Sequence, residues 1–350
     1  MEYISIDAHK RYSFVSIEST EGKLCCAARI EHHRGAIREF LNRRLPGSPV
    51  AIETVGNWYW IVGEIEEAGM VPRLVHAYRA KMMLASTNKT DRLDARGMNR
   101  LQRCGTLPTV WIPPKQVRDE RDLFRTRMIL AAQRTRLKNR IHATLSKYGL
   151  GVEGSSDAFN KKGRKELEKC ILLLPDHTRF SVERVLEQLD CTERQIGLLE
   201  ERMKEVFSPN EEIQLLMTLP GIGLILAVVI LNEIGEIGRF GSAGQFASYS
   251  GVVPRVKASG GKVRLGQLRS DVNRYLKWAY IEAGNSVAIN RAAHPQWYVR
   301  QLYERVRARG GHQAAIGAVG RHLAEASYWM LKRHEEYRPP KMGSISSRKG

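Results

Sequence analysis

Asn88-Lys89-Thr90-Asp91-Arg92-Leu93-Asp94-Ala95-Arg96 sets two carboxylates three residues apart, directly after residues that start helices. On a helix that spacing puts both acids on one face. Asn88 or Thr90 can cap the first turn, and acids there are favoured by the partial positive charge of a helix N-terminus. For an isolated pair, capping is explanation enough. Two more acids change the reading, because Asp7 closes the apolar run Tyr3-Ile4-Ser5-Ile6 and Glu53 closes Pro49-Val50-Ala51-Ile52. If the helix packs across the ends of those strands, four carboxylates converge on one hard cation.

The residues around these acids predict such a layout. Residues 3–7, 12–18 and 24–30 read as strands at hairpin spacing, followed by a helix over 35–44. The short apolar run 49–53 reads as a buried parallel strand, then a helix over 57–68 and a strand over 71–75. This order gives an α/β layered domain over residues 1–112. Asp7 and Glu53 both fall at carboxyl ends of strands, the edge where open α/β sheets place their sites. Asp7, Glu53, Asp91 and Asp94 together suit Mg²⁺ or Mn²⁺, ions that prefer carboxylate and water. Ions so held stabilise the attacking and leaving oxygens of a phosphodiester displacement.

Charge points to the same partner. Across 350 residues Lys and Arg outnumber Asp and Glu by 56 to 37, a net charge of +19, which calls for a polyanion and most simply nucleic acid. A membrane surface is the competitor, but no segment joins a Lys-rich face to a clean apolar one and no apolar run is long enough to span a bilayer. The five cysteines form no CxxC pair and no zinc-ligand spacing, as suits a reducing cytoplasm. The N-terminus enters a strand pattern without the features of a secretion signal.

Trp111-Ile112-Pro113-Pro114 closes the first domain with a stiff turn. Residues 116–148 then run without Gly or Pro, with Leu130, Leu137, Ile141, Leu145 and Tyr148 on one stripe. Arg125, Arg127, Arg134, Arg136, Lys138, Arg140 and Lys147 follow one another with no acid before Glu153. Such a helix repels itself unless it meets a polyanion, so Arg125, Arg134, Lys138 and Arg140 are candidate nucleic-acid contacts. A second helical region over 164–206 has mixed charges and a stripe of Leu186, Leu189, Ile196 and Leu199, read as a coiled-coil arm for oligomerisation. Residues 113–207 thus form a helical spacer.

Residues 208–338 read as a mainly α domain. Its first two helices meet at Pro220-Gly221-Ile222-Gly223, which resembles a helix-hairpin-helix element whose glycines, Gly221 and Gly223, bare backbone N–H groups to phosphate. Downstream, Ser259 precedes Gly260-Gly261 among Arg255, Lys257, Lys262 and Arg264, which in isolation is a flexible basic loop. Helices over 273–288, 294–309 and 312–334 follow, packed by Trp278, Trp297 and Trp329, and residues 339–350 read as a disordered tail.

Three strings carry a resemblance: Ile4-Ser5-Ile6-Asp7-Ala8-His9-Lys10, Ala51-Ile52-Glu53-Thr54-Val55-Gly56-Asn57 and Lys89-Thr90-Asp91-Arg92-Leu93-Asp94-Ala95-Arg96. They resemble the blocks of the DEDD-type insertion-sequence transposases, relatives of the Piv DNA invertases. Tyr249-Ser250-Gly251-Val252-Val253-Pro254-Arg255 and Ala258-Ser259-Gly260-Gly261-Lys262 resemble the second block, so the resemblance spans nearly the whole chain. Ser5 stands where glycine is expected, and Val55 follows Thr54 where alanine-threonine is usual. The resemblance implies an RNase H-like, RuvC-type N-terminal domain with Asp7, Glu53, Asp91 and Asp94 as ligands of Mg²⁺ or Mn²⁺. It further implies Ser259 as a nucleophile joined transiently to DNA, a structured bridge RNA pairing with donor and target DNA, and assembly as a dimer or tetramer in the bacterial cytoplasm. Two rivals remain: a Mg²⁺-dependent junction nuclease in which water is the nucleophile, and a non-catalytic nucleic-acid-binding architectural protein.

Overall fold

Ile4, Ile6 and Ala8 alternate with Ser5 and Asp7 along β1 (Tyr3–Ala8), and this alternation decides which helices cover each face of the sheet. The computed structural model describes residues 1–84, 90–154, 157–208, 210–269 and 271–340, in two compact units, Met1–Pro113 and Pro114–Gly350. In the first, β1 is followed by β2 (Tyr12–Glu18), β3 (Leu24–Glu31), α1 (Ala36–Leu41), β4 (Pro49–Glu53), α2 (Trp58–Glu67), β5 (Val71–Val75), α3 (Ala77–Leu84) and α4 (Asp91–Arg103). The strand order is β3-β2-β1-β4-β5, with β1, β2 and β3 antiparallel and β4 and β5 parallel to β1. This is a mixed α/β domain of RNase H-like order, as expected. The helix α3 is an addition to the sequence reading; it is short and buries only Ala80, so its periodicity is faint.

The apolar face of the sheet, with Ile4, Ile6, Val15, Ile17, Val50 and Ile52, packs on Ile37 and Leu41 of α1 and on Ile61, Val62 and Ile65 of α2. Each such side chain contributes about 1.5–3 kcal/mol on full burial. The opposite face is smaller and more polar, and α4 lies close on it. Ala95 is fully buried there, Ser5 Oγ donates to its carbonyl at 2.7 Å, Asn99 Nδ2 donates to the Ser16 carbonyl at 3.0 Å and Gln102 Nε2 to the Ile4 carbonyl at 2.8 Å. Glu18, 2% exposed, is held by Arg103 at 3.3 Å and Arg96 at 3.6 Å. Ser5, the departure from the family's glycine, is therefore accommodated: its hydroxyl is spent on the helix that brings in Asp91. Thr90 caps α4 by accepting from Leu93 N, whereas Asn88, the other expected cap, lies outside the described residues.

The second unit is a long helical region. Its elements are α5 (Lys115–Lys147), α6 (Lys161–Leu172), α7 (Asp176–Phe207), α8 (Glu211–Met217), α9 (Leu224–Ile234), α10 (Ala243–Tyr249), β6 (Pro254–Ser259), β7 (Lys262–Leu268), α11 (Arg274–Asn290) and α12 (Tyr298–Arg333). Helices α5 and α7 pack along each other. At one end Ile141 and Leu145 meet Leu167, Ile171, Val182, Leu186 and Leu189. At the other, Phe124, Met203 and Phe207 enter the main core with α8, α9, α11 and α12. Gly221, at φ 80°, turns the chain between α8 and α9 so close to α11 that a Cβ would meet the Ala283 carbonyl at 2.5 Å. Gly311, at φ 76°, breaks α12 between the two helices expected there.

Two expectations are corrected. The basic Ser-Gly-Gly segment is a hairpin rather than a loop: Ser259 pairs with Lys262 across Gly260 (φ 56°) and Gly261 (φ 74°), the left-handed pair of a type I′ turn. Trp278 and Trp297 pack on the core, but Trp329 is 45% exposed under the Arg333 guanidinium. Residues 341–350, most of the expected tail, lie outside the described residues. Among the described residues no helix is long and apolar enough to cross a membrane.

Candidate metal centre and basic surfaces

Asp7 stands one register step beyond the Ile6–Ile52 pair, so Glu53 on β4 is its neighbour on the same face of the sheet. Helix α4 runs back along that face with Ala95 over Ser5. Asp91 lies one helical turn earlier, about 6 Å along the axis, which carries it over Asp7. The third member comes from the turn after β1. His9 N donates to the Tyr12 carbonyl at 2.8 Å, and Asn57 Nδ2 holds the His9 carbonyl at 2.9 Å, tying the block that contains Glu53 to the block that contains Asp7.

The result is a compact O, N, O set. His9 Nε2 is 3.4 Å from Asp7 Oδ2 and 3.1 Å from Asp91 Oδ2, and one ligand atom from each residue lies within 4.8 Å of the other two. All three side chains are half-buried. The four expected acids divide: Asp7 and Asp91 are in this tight group, while Glu53 and Asp94, both half-buried, stand outside it. His9, which the sequence reading did not single out, stands in this group beside Asp7 and Asp91. Its signal was the Asp-x-His spacing at the end of β1, which needs the docking of α4 to acquire meaning.

Burial raises the Asp7 carboxyl above its ordinary range; His9 opposes this, and the negative charges of Asp91 and Asp94 add to it. His9 Nε2 is itself buried and lies at ion-pair distance from both carboxylate oxygens. Nitrogen and carboxylate oxygens therefore face one another across a single point, from three separate segments of chain. The donor set fits a divalent cation that accepts oxygen and imidazole nitrogen.

The other candidates lie in the second unit. Ser259 is exposed at the tip of the β6–β7 hairpin with Arg255, Lys257, Lys262 and Arg264, also exposed. From Pro254 to Leu268 the hairpin contains no His, Asp or Glu to serve the hydroxyl as a base. The long basic helix is less bare than its sequence implied. Arg125 donates twice to the buried Glu233 of α9, at 2.6 and 2.9 Å, Arg127 donates to Glu200, and Lys138 pairs with Glu193 at 3.0 Å. The counter-charges come from other helices, which a reading along one helix cannot register. Arg140 is exposed, and Arg134 lines a groove of about 730 Å³ with Gly221, Arg274, Tyr275 and Trp278. Gly223 is exposed at the start of α9.

Comparison with known proteins bears on both units. Residues 4–150 match the DEDD transposase family of IS110 type, and residues 213–303 match the transposase IS116/IS110/IS902 family. The chain is 26% identical over 317 residues, 87% of its length and 90% of the relative's, to a Pseudomonas aeruginosa protein named "Probable family 20 transposase". It is 26% identical to the transposase for insertion sequence element IS1111A of Coxiella burnetii, over 77% of this chain and 74% of that one. It is 24% identical to the transposase for insertion sequence element IS1328 of Yersinia enterocolitica, over 75% of this chain and 76% of that one.

Proposed function

This chain belongs to the DEDD transposases of the IS110 type, enzymes of the transposase and recombinase class, and we propose that it cuts DNA phosphodiester bonds at the Asp7–His9–Asp91 centre with water as the nucleophile. The observation that carries this reading is the convergence of three ligand atoms within 4.8 Å from three separate places, a strand end, a turn and a helix start. Asp7, His9 and Asp91 would hold Mg²⁺ or Mn²⁺, with Glu53 and Asp94 as flanking acids. A bound ion there supplies Lewis-acid polarisation of a phosphate oxygen and a water of lowered pKa.

The chain's own residues prepare for this. Desolvation of Asp7 makes its carboxylate avid for a cation, and the Asn57–His9 contact holds the His9 backbone at the strand edge. DNA, donor and target, would be held through its backbone by the half-buried Arg134 and the exposed Arg140 on α5, and by the exposed Arg255, Lys257, Lys262 and Arg264 on the hairpin. Gly221 and Gly223, at a turn read as a helix-hairpin-helix element, would offer N–H groups to phosphate. The partnership with a structured bridge RNA and assembly through a coiled-coil arm into dimers or tetramers belong to the same proposal, supported by the family resemblance and the net charge of +19.

A second reading gives the attack to Ser259, favoured by its exposure beside a Gly-Gly turn in a hairpin that carries four bases. Ser259→Ala separates the two. With water as nucleophile, the variant keeps metal-dependent strand cleavage and the wild type leaves no protein–DNA adduct. Loss of cleavage in Ser259→Ala, together with a denaturant-resistant adduct in the wild type, transfers the role to the serine.

A further inference from the structure

Two of the three ligands at the centre touch one residue outside it. Tyr12, the first residue of β2, donates its phenol O–H to Asp91 Oδ2 at 3.2 Å, and its ring is stacked on the His9 imidazole with centroids 4.5 Å apart and planes at 30°. Arg29 on β3 lays its guanidinium over the same ring, 3.9 Å from the centroid. Tyr12 sits on β2, paired to β3 through Glu31, so it moves only with the sheet. His9 and Asp91 are anchored through their backbones, in a turn and in the capped first turn of a helix, while their side chains are 37% and 42% exposed.

We propose that Tyr12 is the positioning residue of the metal centre, and that by keeping the His9 imidazole in the ligand set it biases the site toward Mn²⁺ over Mg²⁺. The inference deepens the metal-dependent reading above and rests on it. Mg²⁺ is a hard ion that favours oxygen and retains its waters, whereas an imidazole nitrogen is a better donor to a transition ion. Asp7 and Asp91 alone attract both ions by charge, so any discrimination must come from His9. An imidazole free to rotate into solvent gives none. Stacking on a strand-borne ring removes that freedom, and the phenol fixes the Asp91 oxygen nearest Nε2. Outer partners of this kind are worth about 10–100-fold in metal affinity.

The test is calorimetric titration of MnCl₂ and of MgCl₂ into the full chain without nucleic acid, with circular dichroism in EDTA to establish folding. Tyr12→Phe keeps the ring and drops the hydroxyl; it is expected to weaken both ions roughly 10-fold while retaining the Mn²⁺ preference. His9→Ala is expected to lose the preference, mainly by weakening Mn²⁺, and Tyr12→Leu to move toward the same ratio. Folded Tyr12→Leu with wild-type affinities for both ions overturns the proposal, as does His9→Ala with its preference intact. Should Tyr12→Leu fail to fold, the Tyr12→Phe titration still decides: unchanged affinity for both ions refutes positioning through Asp91. Because the titration contains no DNA, a chain that binds Mn²⁺ as described but never cuts DNA contradicts the functional reading alone.

Discussion

Glu233→Gln changes one heavy atom at a point of the helical unit that is almost closed to solvent. The Glu233 side chain is 1% exposed and receives Arg125 at 2.6 Å, Arg121 at 3.7 Å and Asn273 Nδ2 at 2.8 Å, so it ties α5 to the C-terminus of α9 and the start of α11. Removing its charge takes an acid away from the Arg125 and Arg121 side chains, which are 23% and 8% exposed. Breaking a buried pair from one side costs about 3–5 kcal/mol, which lowers the melting temperature of a unit this size by on the order of 10 °C. Urea denaturation followed by circular dichroism measures it. The double variant Arg125→Met with Glu233→Leu removes both sides of the Arg125–Glu233 pair and should recover part of the loss, the share that belongs to that pair. If Glu233→Gln unfolds at the wild-type urea concentration, while Arg125→Ala lowers DNA affinity and its salt dependence, Arg125 is a phosphate contact and its structural role is refuted.

Further expectations concern the centre and the basic surfaces. Asp7 has a folded pKa above its unfolded one, so the folded state binds the proton more tightly and the metal-free chain loses stability as pH rises through that raised value. Asp7→Asn should abolish this loss in thermal melts run in EDTA, and the stabilisation given by Mn²⁺ to the wild type should fade on acidification; a variant as pH-sensitive as the wild type contradicts this. Arg134→Ala and Arg274→Ala should leave stability unchanged and each reduce the slope of log affinity for DNA against log salt by about 1, read by fluorescence anisotropy. Thr90→Ala removes the cap of α4 and should cost about 1 kcal/mol while weakening Mn²⁺ binding, since Asp91 sits in the turn that frays; unaltered binding would mean that Asp91 is held from elsewhere.

The first unit was legible wherever local pattern and long-range packing agree. Alternation in residues 3–7 and the apolar run 49–53 were enough to set Asp7 and Glu53 at strand ends, because a strand's facing follows from its own period. The helix start at Thr90 was likewise written locally, as a cap followed by acids. His9 and Tyr12 were not, since what gives them meaning is contact with Asp91, which exists only once Ser5, Asn99 and Gln102 have seated α4 on the sheet. The same limit applied to α5: its run of bases is local, and the acids that meet it, Glu193, Glu200 and Glu233, arrive from α7 and α9. At the hairpin the information was present, for a Gly-Gly pair between two short strand-like runs is a type I′ turn signal. Basic composition drew the reading toward a loop instead.

Asp91→Asn is the most direct probe of cleavage at the Asp7–His9–Asp91 centre, because the side chain keeps its shape and Thr90 keeps the helix capped. Cleavage of DNA carrying the ends of the chain's own element should be followed with Mn²⁺, with Mg²⁺ and with EDTA, beside a gel-shift assay on the same DNA. Metal-centred chemistry predicts that Asp91→Asn binds DNA as the wild type does and cuts it at least 100-fold more slowly, on the order of 3 kcal/mol in the barrier. Undiminished cutting by Asp91→Asn, or cutting by the wild type in EDTA, would contradict it.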